Sequence, residues 1–177
     1  MVGWRSEQVA EAAGARLAAP SPHAAGPSRV TIDSRDVRPG DLFVGLPGER
    51  VDGGRFAADA LAAGAWGVLV APEHADAARC AKPGALLAAE DPLAALQSLA
   101  TAWRRALGAQ VIGITGSTGK TSTKDILYGM LRPHRRTVAT PQNLNTEIGL
   151  PLTVLSAPAD TEVLVLEMGM RGEGQIA

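Results

Sequence analysis

Seven residues, Gly116 to Ser122, read GSTGKTS and lie between the apolar run QVIGIT (Gln110 to Thr115) and a helical pattern beginning at residue 120. The glycines let backbone N–H groups turn toward phosphate oxygens, a helix N-terminus adds partial positive charge, and Lys120 supplies a full one. The Thr121 hydroxyl is then placed to ligate Mg²⁺, as in nucleotide triphosphate loops. The strict form of that motif asks for glycine at position 114. Here the residue is Ile114, with Gly113 one position upstream and Gly116 inside the loop. Only three residues of the chain are lysines, Lys82, Lys120 and Lys124, and two of them fall in this one segment.

A second group that could do chemistry is Glu167, which ends the apolar run VLVL (Val163 to Leu166). In doubly wound sheets ligands bind beyond the carboxyl ends of the strands, so Thr115–Gly116 and Leu166–Glu167 should open onto the same edge. One would hold phosphate and the other its metal. Between them, Asn143, Asn145 and Glu147 form a polar cluster that reads equally as a ligand-binding loop or a solvated turn. His23, His74 and His134 have no partners at metal-ligand spacing and read as solvated surface. Asp33, Asp36, Asp41 and Asp52 are spread over separate turns, which argues against an acid/base pair. The single Cys80 has no disulfide partner and reads as filler in a reducing, cytoplasmic compartment.

The elements needed to position these groups can be read from periodicity. Ser6 is placed to cap a helix over 7–13 that Gly14 ends, and 20–28 reads as a loop. Short β-rich pieces at 29–32 and 41–46, a helix at 54–63, strands at 67–71 and 85–89 and a helix over 73–81 compose a small α/β domain, residues 1–89. Asp91-Pro92 opens a linking helix with an apolar stripe at Leu93, Leu96, Ala100, Trp103 and Leu107. Residues 90–177 then follow as a P-loop-type, mainly parallel-sheet unit. Its parts are a strand at 110–115, a helix at 120–131 carrying Ile126, Leu127, Met130 and Leu131, a strand at 136–140, an unsettled stretch at 151–156, a strand at 163–166 and a helix starting at Glu173. The fold class is α/β throughout. A formal charge of −1 gives no global field for nucleic acid or anionic membrane, and no apolar run approaches the roughly 20 residues of a membrane span.

At these residues the chain resembles the ATP-dependent Mur ligases of bacterial cell-wall synthesis. The stretch Thr31 to Val70 is similar to the UDP-binding domain shared by the MurE and MurF branches, and GITGSTGKTS (113–122) to the family's ATP loop. NLNTEIGLPLTVL (143–155) with EMGMRGEGQIA (167–177) resembles the MurF pattern more than the Ser- and His-containing sequence of MurE enzymes. The resemblance implies that Asp33, Ser34 and Arg35 lie near the uridine of the substrate. It implies that Gly116, Ser117, Thr118, Gly119, Lys120, Thr121 and Ser122 hold ATP, with Lys120 on the β/γ-phosphates. Thr121 and Glu167 would bind Mg²⁺, and Asn143 and Asn145 would belong to an active-site Asn-rich loop. Gln142, Thr146 and Gly54 depart from residues common in the family.

The implied reaction joins D-alanyl-D-alanine to UDP-N-acetylmuramoyl-tripeptide through an acyl phosphate, with Lys120 and Glu167 as the catalytic groups. Family members continue into a complete central domain and a C-terminal domain, so the resemblance implies that these 177 residues are an N-terminal fragment unable to complete ligation alone. A MurE-type ligase, another P-loop nucleotide hydrolase or kinase, and a non-catalytic nucleotide-binding module are the competing readings. The last two would leave the Asp33–Arg35 segment unexplained or require only binding.

Overall fold

The runs Asp41–Val44, Gly67–Val70 and Ala85–Ala88 are buried at every position, the pattern of strands covered on both faces of a sheet. They are β3, β4 and β5 of a computed structural model that describes Met1, residues 3–141 and residues 144–169. Contacts divide the chain into two compact units, Met1–Ala102 and Trp103–Ala177.

The first unit contains α1 (Ser6–Ala13), β1 (Arg16–Ala19), β2 (Arg29–Thr31), β3, α2 (Ala57–Ala62), β4, α3 (Pro72–Ala77), β5 and the start of α4 (Pro92–Leu107). Its sheet runs β1-β5-β4-β3-β2, with β2 through β5 mutually parallel and β1 antiparallel on the β5 edge. Phe43, Leu61, Val68 and Leu86 form the centre of one core, with alanines of α2 and α3 closing over them. Close approach explains Gly67, where a Cβ would lie 2.6 Å from that of Ala85 on the paired strand. The buried Asp41 carboxylate is held by the guanidinium of Arg29, Nη2 to Oδ2 at 2.6 Å, and by the N–H of Arg38 at 2.8 Å. Arg29 also holds Asp36, so these two acids are structural.

The second unit has β6 (Gln110–Ile114), α5 (Lys120–Leu131), β7 (Thr137–Ala139), α6 (Gly149–Ser156) and β8 (Val163–Glu167). Its sheet is parallel, in the order β6-β8-β7. Val163 and Val165 of β8 share a core with Ile114, Leu127 and Leu131, so α5 lies on one face of the sheet. Every residue of β8 is buried.

The structure corrects several local readings and adds elements the sequence did not show. Ser6 is the first helical residue and not the cap; Arg5 takes the cap position, donating its N–H to Gln8 Oε1 at 2.9 Å, while the Ser6 hydroxyl accepts from the N–H of Ser21. Residues 16–19 form β1, a strand with no alternating pattern of its own, because pairing with β5 creates it. The helix at 54–63 splits into a 3₁₀ turn, Gly53–Phe56, and α2, and the one over 73–81 into α3 and a second 3₁₀ turn, Ala78–Cys80. The stretch from 149 to 156 is α6, begun by the Thr146 hydroxyl accepting from the N–H of Gly149 at 3.2 Å. On α5, Leu127 and Leu131 pack inward, whereas Ile126 and Met130 are 63% and 65% exposed. The helix expected from Glu173 lies outside the described residues.

Candidate functional site

β6 hands the chain directly to the Gly-rich turn, and α5 begins at Lys120. The turn requires left-handed backbone at Gly116 (φ 144°) and at Gly119 (φ 76°), the residue before the helix. Nothing crowds Gly119, so its glycine serves backbone conformation and not space. Residues 116–119 are all exposed, and the N-terminal N–H groups of a 12-residue helix have no intrahelical acceptors. Lys120 folds across this turn, donating from Nζ to the carbonyl of Gly116 at 2.6 Å. Ile114 explains the departure from the strict motif. It is a strand residue, 8% exposed, packed between β8 and α5, where glycine would leave a void.

In-register pairing of β6 with β8 sets Ile114 opposite Glu167, so the loop and the acid leave the sheet at the same edge, as the strand ends required. Glu167 is 7% exposed and its Oε1 accepts from the Thr121 hydroxyl and from Asn145 Nδ2, both at 3.2 Å. Its N–H donates to the Thr140 hydroxyl at 2.9 Å. The Asn145 carbonyl in turn accepts from the N–H of Gly169 at 2.8 Å. The structure therefore joins Thr121, Asn145 and Glu167 in one cluster beside the Gly-rich turn, with Lys120 in that turn. Asn143 lies outside the described residues, and Glu147 is exposed.

Asp33, Ser34 and Arg35 follow the carboxyl end of β2. Asp33 caps a 3₁₀ turn, Ser34–Asp36, accepting from the N–H of Arg35 at 3.0 Å. The Arg35 guanidinium also grips both Asp33 oxygens, at 2.9 and 2.8 Å. These charge-assisted bonds hold the Asp33 carboxyl at about 2, well below the ordinary carboxylate range. Arg35 is 88% exposed, with its remaining donors open to a ligand.

Next along the sheet edge, the Asp52 carboxylate accepts from the N–H of Gly54 at 2.8 Å and meets His74 Nε2 at 3.0 Å. His74, expected in solvent, is half-buried; His23 and His134 are exposed as expected. Gly54 makes the contact possible, because a Cβ there would lie 2.2 Å from His74 Cδ2. His74 and the Gly-rich turn at 52–54 come together only by folding, and no local sequence signal links positions 54 and 74. Among the described residues no group of three His, Cys, Asp or Glu side chains converges as a protein-only metal site.

The fold and these clusters define a two-unit α/β protein whose second unit presents a strand, a Gly-rich turn and a helix beside a strand-ending carboxylate. Residues 28–110 match the family model "Mur ligase family, catalytic domain", and residues 114–177 match "Mur ligase middle domain". The chain belongs to the Mur ligase family.

Its similar relatives include the UDP-N-acetylmuramoyl-tripeptide--D-alanyl-D-alanine ligases of Mycobacterium tuberculosis and Bacillus subtilis. The first is 44% identical, covering all of this chain and 39% of the relative. The second is 43% identical, covering 83% and 32%. Among solved structures, a MurF crystal structure from Acinetobacter baumannii superposes with a TM-score of 0.84 at 31% identity, covering 98% of this chain and 37% of that one. MurF ligase from Thermotoga maritima in complex with ADP gives 0.69 at 38% identity, covering 84% and 33%. The chain thus spans 31% to 39% of the length of such curated relatives.

Proposed function

We propose that this chain supplies the uridine-substrate site and the phosphate loop of an ATP-dependent ligase that joins D-alanyl-D-alanine to UDP-N-acetylmuramoyl-tripeptide. The observation that carries the reading is the meeting of the Thr121 hydroxyl and the Glu167 carboxylate beside the helix N-terminus that opens at Lys120. The relatives' names and the ADP held by the Thermotoga neighbour support it.

In this reading the backbone N–H groups of Gly116 to Ser122 and the Lys120 ammonium grip the ATP phosphates. Lys120 exchanges the Gly116 carbonyl for β/γ-phosphate oxygens as the nucleotide enters, a local swing of one side chain. Thr121 and Glu167 are oxygen donors, suited to Mg²⁺, which takes one or two protein ligands and completes its shell with phosphate and water. When bound, Mg²⁺ would neutralise charge developing on the transferred phosphoryl group. Asn145, bonded to Glu167, orients that carboxylate. Arg35, held by Asp33, and Ser34 face the uridine nucleotide.

The substrate carboxylate attacks the γ-phosphorus, ADP leaves, and an acyl phosphate forms. The amine of D-alanyl-D-alanine then attacks the acyl carbon, phosphate leaves, and the amine proton goes to a base. This needs positioning and charge neutralisation more than a side-chain nucleophile.

Calorimetric titration tests the site assignment. Lys120→Ala should weaken Mg-ATP binding about ten- to a hundredfold, the value of a charge-assisted contact of about 1.5–3 kcal/mol, and leave binding of UDP-N-acetylmuramoyl-tripeptide unchanged. Arg35→Ala should do the reverse. Unchanged affinities in both variants would refute the assignment.

A further inference from the structure

We infer that Lys124 is a positioning residue for the Thr121–Glu167 pair, acting through Thr140; this rests on the proposed role of that pair as the Mg²⁺ donors. Lys124 is one of the two lysines of the Gly-rich segment, yet it does not point at the loop. It is 4% exposed, and its ammonium donates to the Thr140 carbonyl at 2.9 Å and meets Asp125 Oδ1 at 3.1 Å. Burying an ammonium is costly unless it is paired and hydrogen-bonded. A helix needing only packing at this position would be served by leucine or methionine.

What Lys124 holds gives its purpose. Thr140 lies just past the end of β7, and all of its polar groups are committed. Its carbonyl goes to Lys124, its N–H donates to the Val165 carbonyl at 3.0 Å, and its hydroxyl accepts the N–H of Glu167 at 2.9 Å. Helix α5 therefore reaches Glu167 by two routes. Thr121 touches its carboxylate directly at 3.2 Å, and Lys124, three residues on and on the same helix face, reaches its backbone through Thr140.

Leu127 and Leu131 seat α5 on the sheet, but apolar packing is not directional and leaves the orientation of its first turn to polar contacts. Two contacts one turn apart fix the rotation of the helix, and with it the separation of the Thr121 hydroxyl from the Glu167 carboxylate. Residues that orient metal ligands from behind in this way are worth about 10- to 100-fold in metal affinity.

The test uses the 177-residue chain and a fluorescent N-methylanthraniloyl-ATP, titrated over a range of Mg²⁺ concentrations and in EDTA. Lys124→Met keeps the length of the side chain and removes its charge and donors. It should raise the Mg²⁺ concentration for half-maximal binding about tenfold or more and change metal-free nucleotide affinity less than about twofold. Lys124→Arg should recover part of the loss. A Mg²⁺ midpoint that stays within about twofold of the wild type, or an equal loss with and without metal, overturns the inference.

Should Lys124→Met not fold, Thr140→Val and Thr140→Ser decide. Val must raise the midpoint and Ser must not; identical behaviour of the two overturns the inference. Glu167→Gln separates the two levels of argument. If it leaves the Mg²⁺ dependence intact, the metal assignment fails and takes this inference with it. If it abolishes the dependence while Lys124→Met does nothing, only the positioning role falls.

Discussion

Arg35 and Asp33 illustrate how a candidate site residue can be held in place by its neighbour alone. Two side-chain bonds and one backbone N–H converge on the Asp33 carboxylate, so its protonation would cost all three at once. Its folded value of about 2 lies below the ordinary 3.8. Any stabilisation it gives is therefore fully present above the ordinary value and is lost as pH falls through about 2. Carboxyl-carbon NMR should show Asp33 titrating near 2, and Arg35→Ala should return the midpoint toward the ordinary value. A midpoint that ignores Arg35 would show that the guanidinium is elsewhere in solution. Lys120 and Glu167 could be picked out from the sequence because each sits where an apolar strand pattern breaks. Lys124 could be noticed but not explained, since its acceptor is a backbone carbonyl 16 residues away.

At the scale of elements, the turn after β3 is joined to α3 by the His74–Asp52 contact, which exists only because position 54 lacks a side chain. Gly54→Ala should force the His74 ring away from Asp52 and cost about 1–3 kcal/mol in denaturant unfolding, the usual range for overpacking. His74→Ala in the same chain should recover the steric part of that cost, giving a clearly non-additive cycle. Additive losses would mean that the ring and the turn do not meet. The Asp52 carboxyl, held below its ordinary value mainly by the His74 bond and then by the N–H of Gly54, should titrate higher in either single variant. The helices at α4 and α5 were legible because a capping Asp91, which accepts from the N–H groups of Leu93 and Ala94, and the 116–119 turn mark their starts. β1 was not legible, because an edge strand with partly exposed faces carries no periodic signal until its partner is in place.

Across the whole molecule, each compact unit has its own core, and the proposed function assigns one ligand to each. A ligand at 100 times its dissociation constant adds about 2.7 kcal/mol to the state that binds it. Hydrogen exchange should therefore show Mg-ATP protecting amides at 116–122 and UDP-N-acetylmuramoyl-tripeptide protecting those around 33–36. Protection by Mg-ATP confined to the first unit would contradict the assignment of the phosphate loop. The family models cover 28–110 and 114–177, so each unit carries Mur ligase sequence. Among the described residues no helix is long and apolar enough to cross a membrane.

The sequence alone determined the features written in local chemistry: the Gly-rich turn between strand and helix, the acid at the end of a buried strand, and the alternation that makes an α/β fold. Local propensity and hydrophobic period suffice for these, since each is decided within a few residues. Only the tertiary structure decided that Ile114 pairs with Glu167, that Thr140 links Lys124 to the backbone N–H of Glu167, and that His74 fills the space above Gly54. Those contacts join positions 16 to 53 residues apart. Parallel pairing and close packing bring them together, and nothing in the intervening chain encodes the distance.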